Sequence, residues 1–496
     1  MTAGFATTPD GLLLPLAVLV PFAGVLAGLA FGDRNTARVA SVTILAGLGI
    51  AGAIAAAQLR SGTALVYLLG GWQPPLGIAL RADGLSVVMM ATSAIVVLFV
   101  AAYARADFAG PSRAAFAFWT LVPALLGALN LVFLAADLFT LYVGLELLTF
   151  AAVPLVSLDG RPGTLRAALR YLVYALAGSL FYLAGAVLVY ASCGTLDIAL
   201  LAERATPGPA IWVAAALMTA GLAAKTALFP LHFWLPPAHA GAPAAASALL
   251  SALVIKGSFF LVVRLWFDAL PGIPGATAAQ ALATLGAAAI LVGSVVALRQ
   301  TRLKLAIAYS TIAQVGYLFL LFPLAFDAET GRLAAGVALA GGMMQVVSHA
   351  TAKAAMFMSA GLLYAGLGHD RIGGLAGAAR ALPVTVGAFA LAGISLMGLP
   401  PSGGFLAKWW LLSAAVATGQ WWWAAVICVG GLLTAAYVML VLARALQQPD
   451  EPLVLKAGIA RRSELAALAL AVLAATLGLL ALLDVDAAAI AAGAPR

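Results

Sequence analysis

The chain has 496 residues, 64% of them hydrophobic and only 9% charged, with a formal net charge of +8 and a mean hydropathy of +1.09. Soluble domains carry roughly 25% charged residues, so this composition excludes a water-facing globular protein, and its hydrophobicity excludes disorder. The basic pI near 9.7 fits Lys and Arg gathered in the cytoplasmic loops of a membrane protein better than a nucleic-acid partner.

Fourteen continuous apolar runs lie at about 11–31, 38–58, 84–104, 114–133, 137–157, 167–192, 211–230, 243–267, 276–298, 303–323, 332–364, 383–417, 421–445 and 463–484. A bilayer-spanning helix needs about 20 apolar residues. The runs are rich in Leu and Ala and lack the alternation of a β-barrel. They predict an all-α integral membrane protein of about fourteen transmembrane helices. The first basic residue, Arg34, follows the first run, as in a retained first span entering from outside rather than a cleaved signal peptide.

Loops after odd-numbered runs hold sixteen Lys and Arg, from Arg34 to Arg462 and including Lys304, whereas the opposite loops and termini hold five: Arg60, Arg81, Arg204, Arg332 and Arg496. That bias predicts a multi-pass protein of a bacterial or archaeal-type inner membrane with both termini outside. Five basic residues remain inside runs: Lys225, Lys256, Arg264, Lys353 and Lys408. Arg264 lies near the outer end of its run, where snorkelling to water is expected. Glu146 is the one acid placed deep within a run, and Asp137 lies near a run's end. At about 2.5–3.5 kcal/mol each on insertion scales, Glu146 and the four lysines would together cost roughly 12–18 kcal/mol unpaired. Charges held at that cost on five different spans point to function.

Two runs carry helix-breaking sequence. The seventh contains Phe229-Pro230-Leu231-His232-Phe233-Trp234-Leu235-Pro236-Pro237, and the twelfth Gly398-Leu399-Pro400-Pro401-Ser402-Gly403-Gly404. Proline removes a backbone donor and clashes with the preceding turn, and in lipid the freed groups survive only against protein or a water-filled cavity. Lys225 precedes one break and Lys408 follows the other. The broken runs are five apart and so cross in opposite directions, as inverted five-helix repeats do. The chain then divides into helices 1–3 (residues 1–113), a first repeat (114–267), an inverted second repeat (268–445) and a C-terminal helix (446–496).

Lysine titrates near 10.4 in water, and burial eases proton release while a nearby carboxylate opposes it. Opening and closing a Glu–Lys pair, with about 4 kcal/mol at contact for an effective dielectric near 20, therefore moves a lysine between holding and releasing a proton. His349 and Lys353 are four apart on one helical face, where a neutral imidazole can bridge; a core histidine bonded to a carbonyl is the competing reading. His232 lies in the first break and, with Asp137, is a candidate channel-lining residue; His239 follows it. No carboxylate or cysteine stands at zinc-ligand spacing from a histidine, and Cys193 and Cys428 form no CxxC, so neither a metal site nor a disulfide is expected. Gly47-Leu48-Gly49-Ile50-Ala51-Gly52 matches GxGxxG inside an apolar span with no preceding strand and is no nucleotide site. The chain is expected to have no catalytic site and no bound cofactor, with H+ as the ion that its buried lysines and glutamate would carry.

The stretches Gly144–Leu148, Lys225–Pro243, Ser247–Lys256, Ile307–Tyr317 (IAYSTIAQVGY), Ser348–Gly361 and Ser395–Trp410 resemble the antiporter-like membrane subunits of respiratory complex I, Mrp-type sodium/proton antiporters and membrane-bound hydrogenases. The resemblance covers about residues 114–445. It implies fourteen helices, two inverted repeats and a polar axis at mid-membrane. It also implies a proton relay of Glu146 on the fifth helix, Lys225 on the seventh, Lys256 on the eighth, His349 and Lys353 on the eleventh and Lys408 on the twelfth, where members carry lysine or glutamate. Pro237 departs from the polar or acidic residue that many members carry before Ala-His. The partners implied are other membrane subunits of a hetero-oligomer. A stand-alone carrier of a small solute is the alternative, though it would need one solute-shaped site rather than lysines strung across several helices.

Overall fold

The computed structural model describes residues 6–327, 329–449 and 453–483. Arg496 and residue 484, used in the sequence reading, lie outside them. Twelve of the described helices are long and apolar enough to cross a membrane: α1 (Leu13–Phe31), α2 (Thr36–Ser61), α3 (Gly84–Asp107), α4 (Arg113–Leu134), α5 (Leu138–Val156), α6 (Pro162–Cys193), α10 (Ala244–Ala269), α11 (Ala276–Leu298), α12 (Leu303–Leu324), α13 (Val337–Leu367), α16 (Trp421–Leu446) and α17 (Arg461–Leu480). Between them lie the shorter α7 (Ile198–Arg204), α8 (Pro209–Lys225), α9 (Leu235–Gly241), α14 (Pro383–Met397) and α15 (Gly403–Ala417).

Both breaks form where the prolines stand. The seventh run stops being helical at Lys225, five residues earlier than expected, and resumes at Leu235 with proline in the first turn of α9, where a missing N–H costs nothing. In the twelfth run α14 ends on Gly398 at φ 83°, and Ser402 caps α15 by accepting the Phe405 N–H at 3.1 Å. The left-handed φ is one glycine adopts freely.

The core is centred on α10, the most apolar window of which is wholly enclosed by protein. Helices α1, α2 and α6 instead leave leucines such as Leu19, Leu45 and Leu180 more than half exposed. An apolar surface of this kind suits hydrocarbon or a neighbouring membrane subunit rather than water. The sequence expectation of an all-helical chain needs a small correction: two short antiparallel hairpins join helices, Leu65–Leu68 with Ala79–Ala82 and Phe326–Asp327 with Arg332–Leu333.

Two charged residues lie elsewhere than expected. Arg264 does not snorkel. Its guanidinium donates to both carboxylate oxygens of Asp83 at 2.6 Å, to Asp268 at 2.8 Å and to Ser86 at 2.9 Å. Two carboxylates flank it, so a buried, fully bonded position competes well with water. Asp83 also caps α3 through the Ser86 N–H. Burial pushes the Asp83 carboxyl up, but Arg264 outweighs it and holds that carboxyl well below the usual range. A group depressed in this way stabilises the fold fully above its unfolded value near 3.9, and loses that contribution as pH falls further. Arg264→Met should therefore destabilise the protein at pH 7 by about 3–5 kcal/mol, because it leaves Asp83 buried and unpaired; thermal unfolding in detergent would register this, and an unchanged melting point would refute it. Lys304, expected in a loop, is buried in the first turn of α12, where its ammonium donates to the Ala242 carbonyl. The corner between α9 and α10 folds over the start of α12 and supplies that acceptor.

Candidate functional site

The first cluster depends on a close helix contact. Gly178 of α6 and Gly221 of α8 face each other so tightly that a Cβ on either would lie 2.2–2.6 Å from the other's carbonyl oxygen. Small residues allow such an approach. One residue along, Ser179 then meets Lys225 at the last turn of α8. Lys225 donates to Glu146 of α5 at 3.0 Å, with side chains 7% and 15% exposed. The Ser179 hydroxyl donates to the same Glu146 oxygen and accepts from Lys225. Three helices thus converge on one carboxylate oxygen. In the break beyond, the Ala224 carbonyl at the end of α8 accepts from the Trp234 indole at 3.0 Å and from the Ala227 N–H at 3.2 Å.

Among the described residues, the other three relay lysines have no carboxylate partner. Lys256 follows a π-helical turn, Leu250–Val254, and donates to the Ser251 carbonyl. Lys353 donates to the Ile307 carbonyl at 3.0 Å and to the Ser310 hydroxyl. Lys408 donates to the Leu396 and Met397 carbonyls at 2.6 and 3.1 Å and lies 4.7 Å over the Tyr317 ring. Those two carbonyls end α14 and are left without intrahelical partners by the break, at the negative end of its dipole, where a cation is favoured.

His349 is fully buried and neither ring nitrogen has a partner, so it is not the carbonyl-bonded core histidine. Lys256, Lys353 and Lys408 all lie within electrostatic reach of it. His232 is buried between Phe229 and Phe233, with ring centroids at 5.5 and 4.7 Å and Nδ1 unpartnered. His239 stacks on Phe357 at 4.8 Å. Asp137 caps α5, accepting the Phe139 and Thr140 N–H groups at 3.0 and 2.8 Å; one of its oxygens is buried without a partner. Pro230, Pro236, Pro400 and Pro401 lie at the breaks, as expected.

A cavity of about 760 Å³ opens where α6 and α12 begin, lined among others by Asp159, Arg161, Arg302, Asp370, Asp107 and Lys304. Arg302 pairs with Asp370 at 3.0 Å, and Arg161 with Asp159. Burial pushes the Asp159 carboxyl up, but hydrogen bonds from Thr164 and Arg161 outweigh it and hold the group below its usual value. Behind this cavity the charge of Lys304 bears on His239.

The sequence therefore located the four relay lysines and paired Lys225 with Glu146, but gave no partner for Lys256, Lys353 or Lys408. Ser179, Ser251, Ser310 and Lys304 were missed. The signal for some was present: Ser310, Thr311 and Gln314 place three polar groups on adjacent turns of one apolar span.

Buried lysines beside broken helices in a polytopic bundle define a class of ion-handling membrane proteins. A family model described as NADH:quinone oxidoreductase/Mrp antiporter, transmembrane, matches residues 135–434. The chain is 36% identical to the NADH-quinone oxidoreductase subunit N of Desulforudis audaxviator over 83% of this chain and 81% of that one. It is 30% identical to a Na(+)/H(+) antiporter subunit of Alkalihalophilus pseudofirmus, over 80% of this chain and 79% of that one. Its fold is similar to a chain in the Mrp complex of Dietzia sp., with a TM-score of 0.85 at 25% identity, covering 98% and 97% of the two chains. The chain belongs to the NADH:quinone oxidoreductase/Mrp antiporter transmembrane family.

Proposed function

We propose that this chain is a proton- or cation/proton-translocating membrane subunit of a multi-subunit complex, of NADH:quinone oxidoreductase-like or Mrp type. Protons pass along Glu146, Lys225, Lys256, His349, Lys353 and Lys408. The observation that carries the reading is the buried Glu146–Ser179–Lys225 cluster at the mouth of a broken helix. A purely structural pair needs no break beside it. The relatives' names, a quinone oxidoreductase subunit and an antiporter subunit, support the same class.

Counting α8 with α9 and α14 with α15 as one span each brings the total to fourteen. Residues 114–267 and 268–445 then form inverted repeats, flanked by three helices in 1–113 and one in 446–496. The termini face outside, and the cavity beside Lys304 is the cytoplasmic mouth of the path. The chain holds no cofactor of its own, and its driving force arrives through neighbouring membrane subunits; H+ is the ion moved, with Na+ as countersubstrate in an Mrp-type assembly.

Reconstitution tests this. The purified chain alone in liposomes, under an imposed pH or sodium gradient, should show no exchange by a fluorescent dye, and co-expressed neighbouring subunits should restore it. Robust, mutation-sensitive exchange by the isolated chain would favour a stand-alone carrier instead.

A further inference from the structure

The cavity beside Lys304 carries more positive charge than its own acids match. Five basic side chains line it, Arg161, Arg166, Arg170, Arg302 and Lys304, against the carboxylates of Asp107, Asp159 and Asp370. Arg302 takes up Asp370 and Arg161 takes up Asp159, while Lys304 is bonded to the Ala242 carbonyl. Arg166 and Arg170 are left. Both are exposed, and among the described residues neither has a carboxylate, Asp107 included, within ion-pairing distance.

Their place on α6 is informative. At about 100° per residue, Leu165, Leu169, Val173, Leu176 and Leu180 fall within an arc of about 80°, and all five are 38–65% exposed. Measured from Leu165, Arg166 and Arg170 follow at about 100° and 140°. The cavity-lining Gly163 and Ala167 come next, at about 160° and 200°. The two guanidiniums therefore stand on the seam between a polar cavity and an apolar stripe. From Leu165 to Leu180 the stripe runs about 22 Å, longer than the roughly 15 Å of hydrocarbon in one leaflet.

We propose that Arg166 and Arg170 bind the phosphate of an anionic membrane phospholipid whose acyl chains lie along the Leu165–Leu180 stripe. A phosphate diester offers oxygens that match guanidinium forks. In a phospholipid the anion and the apolar chains come joined, in the order in which the seam presents them. A headgroup of net negative charge answers two unpaired cations better than a zwitterion does, as in basic pockets between cytoplasmic helix ends. A protein subunit would cover the leucines equally well, but it would have to bring an acid of its own to the same level. Bound there, the phosphate offsets the positive potential that otherwise repels cations from the mouth. That consequence for proton entry rests on the translocation reading above, whereas lipid binding does not.

The test uses the complex assembled with its partner subunits, in nanodiscs carrying a photoreactive phosphatidylglycerol. The parent should cross-link on α6, and unlabelled phosphatidylglycerol should compete while phosphatidylcholine and inorganic phosphate should not. The double variant Arg166→Gln/Arg170→Gln should bind at least about tenfold more weakly, with melting temperature unchanged because both side chains are exposed. Arg166→Lys/Arg170→Lys, which keeps the charge, should recover part of the binding. In phosphatidylcholine proteoliposomes, added phosphatidylglycerol should speed proton translocation by the parent at least about threefold and leave the glutamine variant unaffected. Equal cross-linking in the glutamine variant, or competition by phosphatidylcholine or inorganic phosphate, would overturn the lipid site. Loss of a partner subunit from that variant with its lipid content unchanged would assign the seam to an acidic protein surface and overturn it too. Parent-rate translocation by Lys225→Ala would overturn the relay and leave the lipid site standing, since cross-linking is read without transport.

Discussion

Glu146→Gln and Lys225→Ala should each reduce proton translocation by the assembled complex to background while leaving the subunit in place. The two groups touch at 3.0 Å. At an effective dielectric near 20, contact between unit charges is worth about 4 kcal/mol, or about a thousandfold in the preference of the lysine for its proton. Glu146→Gln keeps the shape of the side chain and an oxygen for Ser179 and Lys225, but deletes the charge and with it that preference. Lys225→Ala removes the proton carrier and leaves Glu146 bonded to Ser179 alone. Losing one partner of a buried pair costs about 3–5 kcal/mol, so this variant should melt at a lower temperature than Glu146→Gln. Membrane insertion, driven by the apolar spans, should persist in both. Dye-followed acidification of proteoliposomes is the measurement. Full activity in either variant, at normal subunit content, would refute the coupled pair.

The contrast between Glu146 and the other relay candidates shows what a sequence can and cannot disclose. Each charge was visible because an apolar span makes a polar residue conspicuous, and each break was visible because proline has no N–H to give. Of the partners only one was visible: Glu146 for Lys225, two buried charges expected to pair, which meet at 3.0 Å. The glycines that let α6 and α8 approach, Gly178 and Gly221, were not, since no local pattern encodes that contact. Lys256, Lys353 and Lys408 are held by backbone carbonyls, and a carbonyl has no sequence signature. Arg264 misled because snorkelling is judged from one span, whereas Asp83 arrives from a helix 181 residues away. Lys304 misled in the opposite way: at the edge of its span it reads as a loop charge until the Ala242 corner covers it.

Lys408→Leu should abolish translocation, and Lys408→Glu should retain part of it with a preference for acid pH. The ammonium now lies between the Leu396 and Met397 carbonyls and the face of the Tyr317 ring. All three are electron-rich, and all favour a donor or a cation. Leucine offers neither, so the Met397 carbonyl would lose its partner, the Leu396 carbonyl would keep only the long bond from the Gln314 amide at 3.4 Å, and the path would lose its terminal proton acceptor. Glutamate can occupy the same place as a protonated acid, donating its O–H to one carbonyl. As a carboxylate it would face two carbonyl oxygens and the negative end of the α14 dipole, an arrangement that costs energy rather than supplying it. The activity of the glutamate variant, relative to the parent's at the same pH, should therefore climb as pH falls across the working range. Translocation measured against pH in the assembled complex separates the cases. A leucine variant working at the parent rate would remove Lys408 from the relay. A glutamate variant most active at alkaline pH would instead show that the carbonyl cradle of α14 does not govern the residue that sits in it.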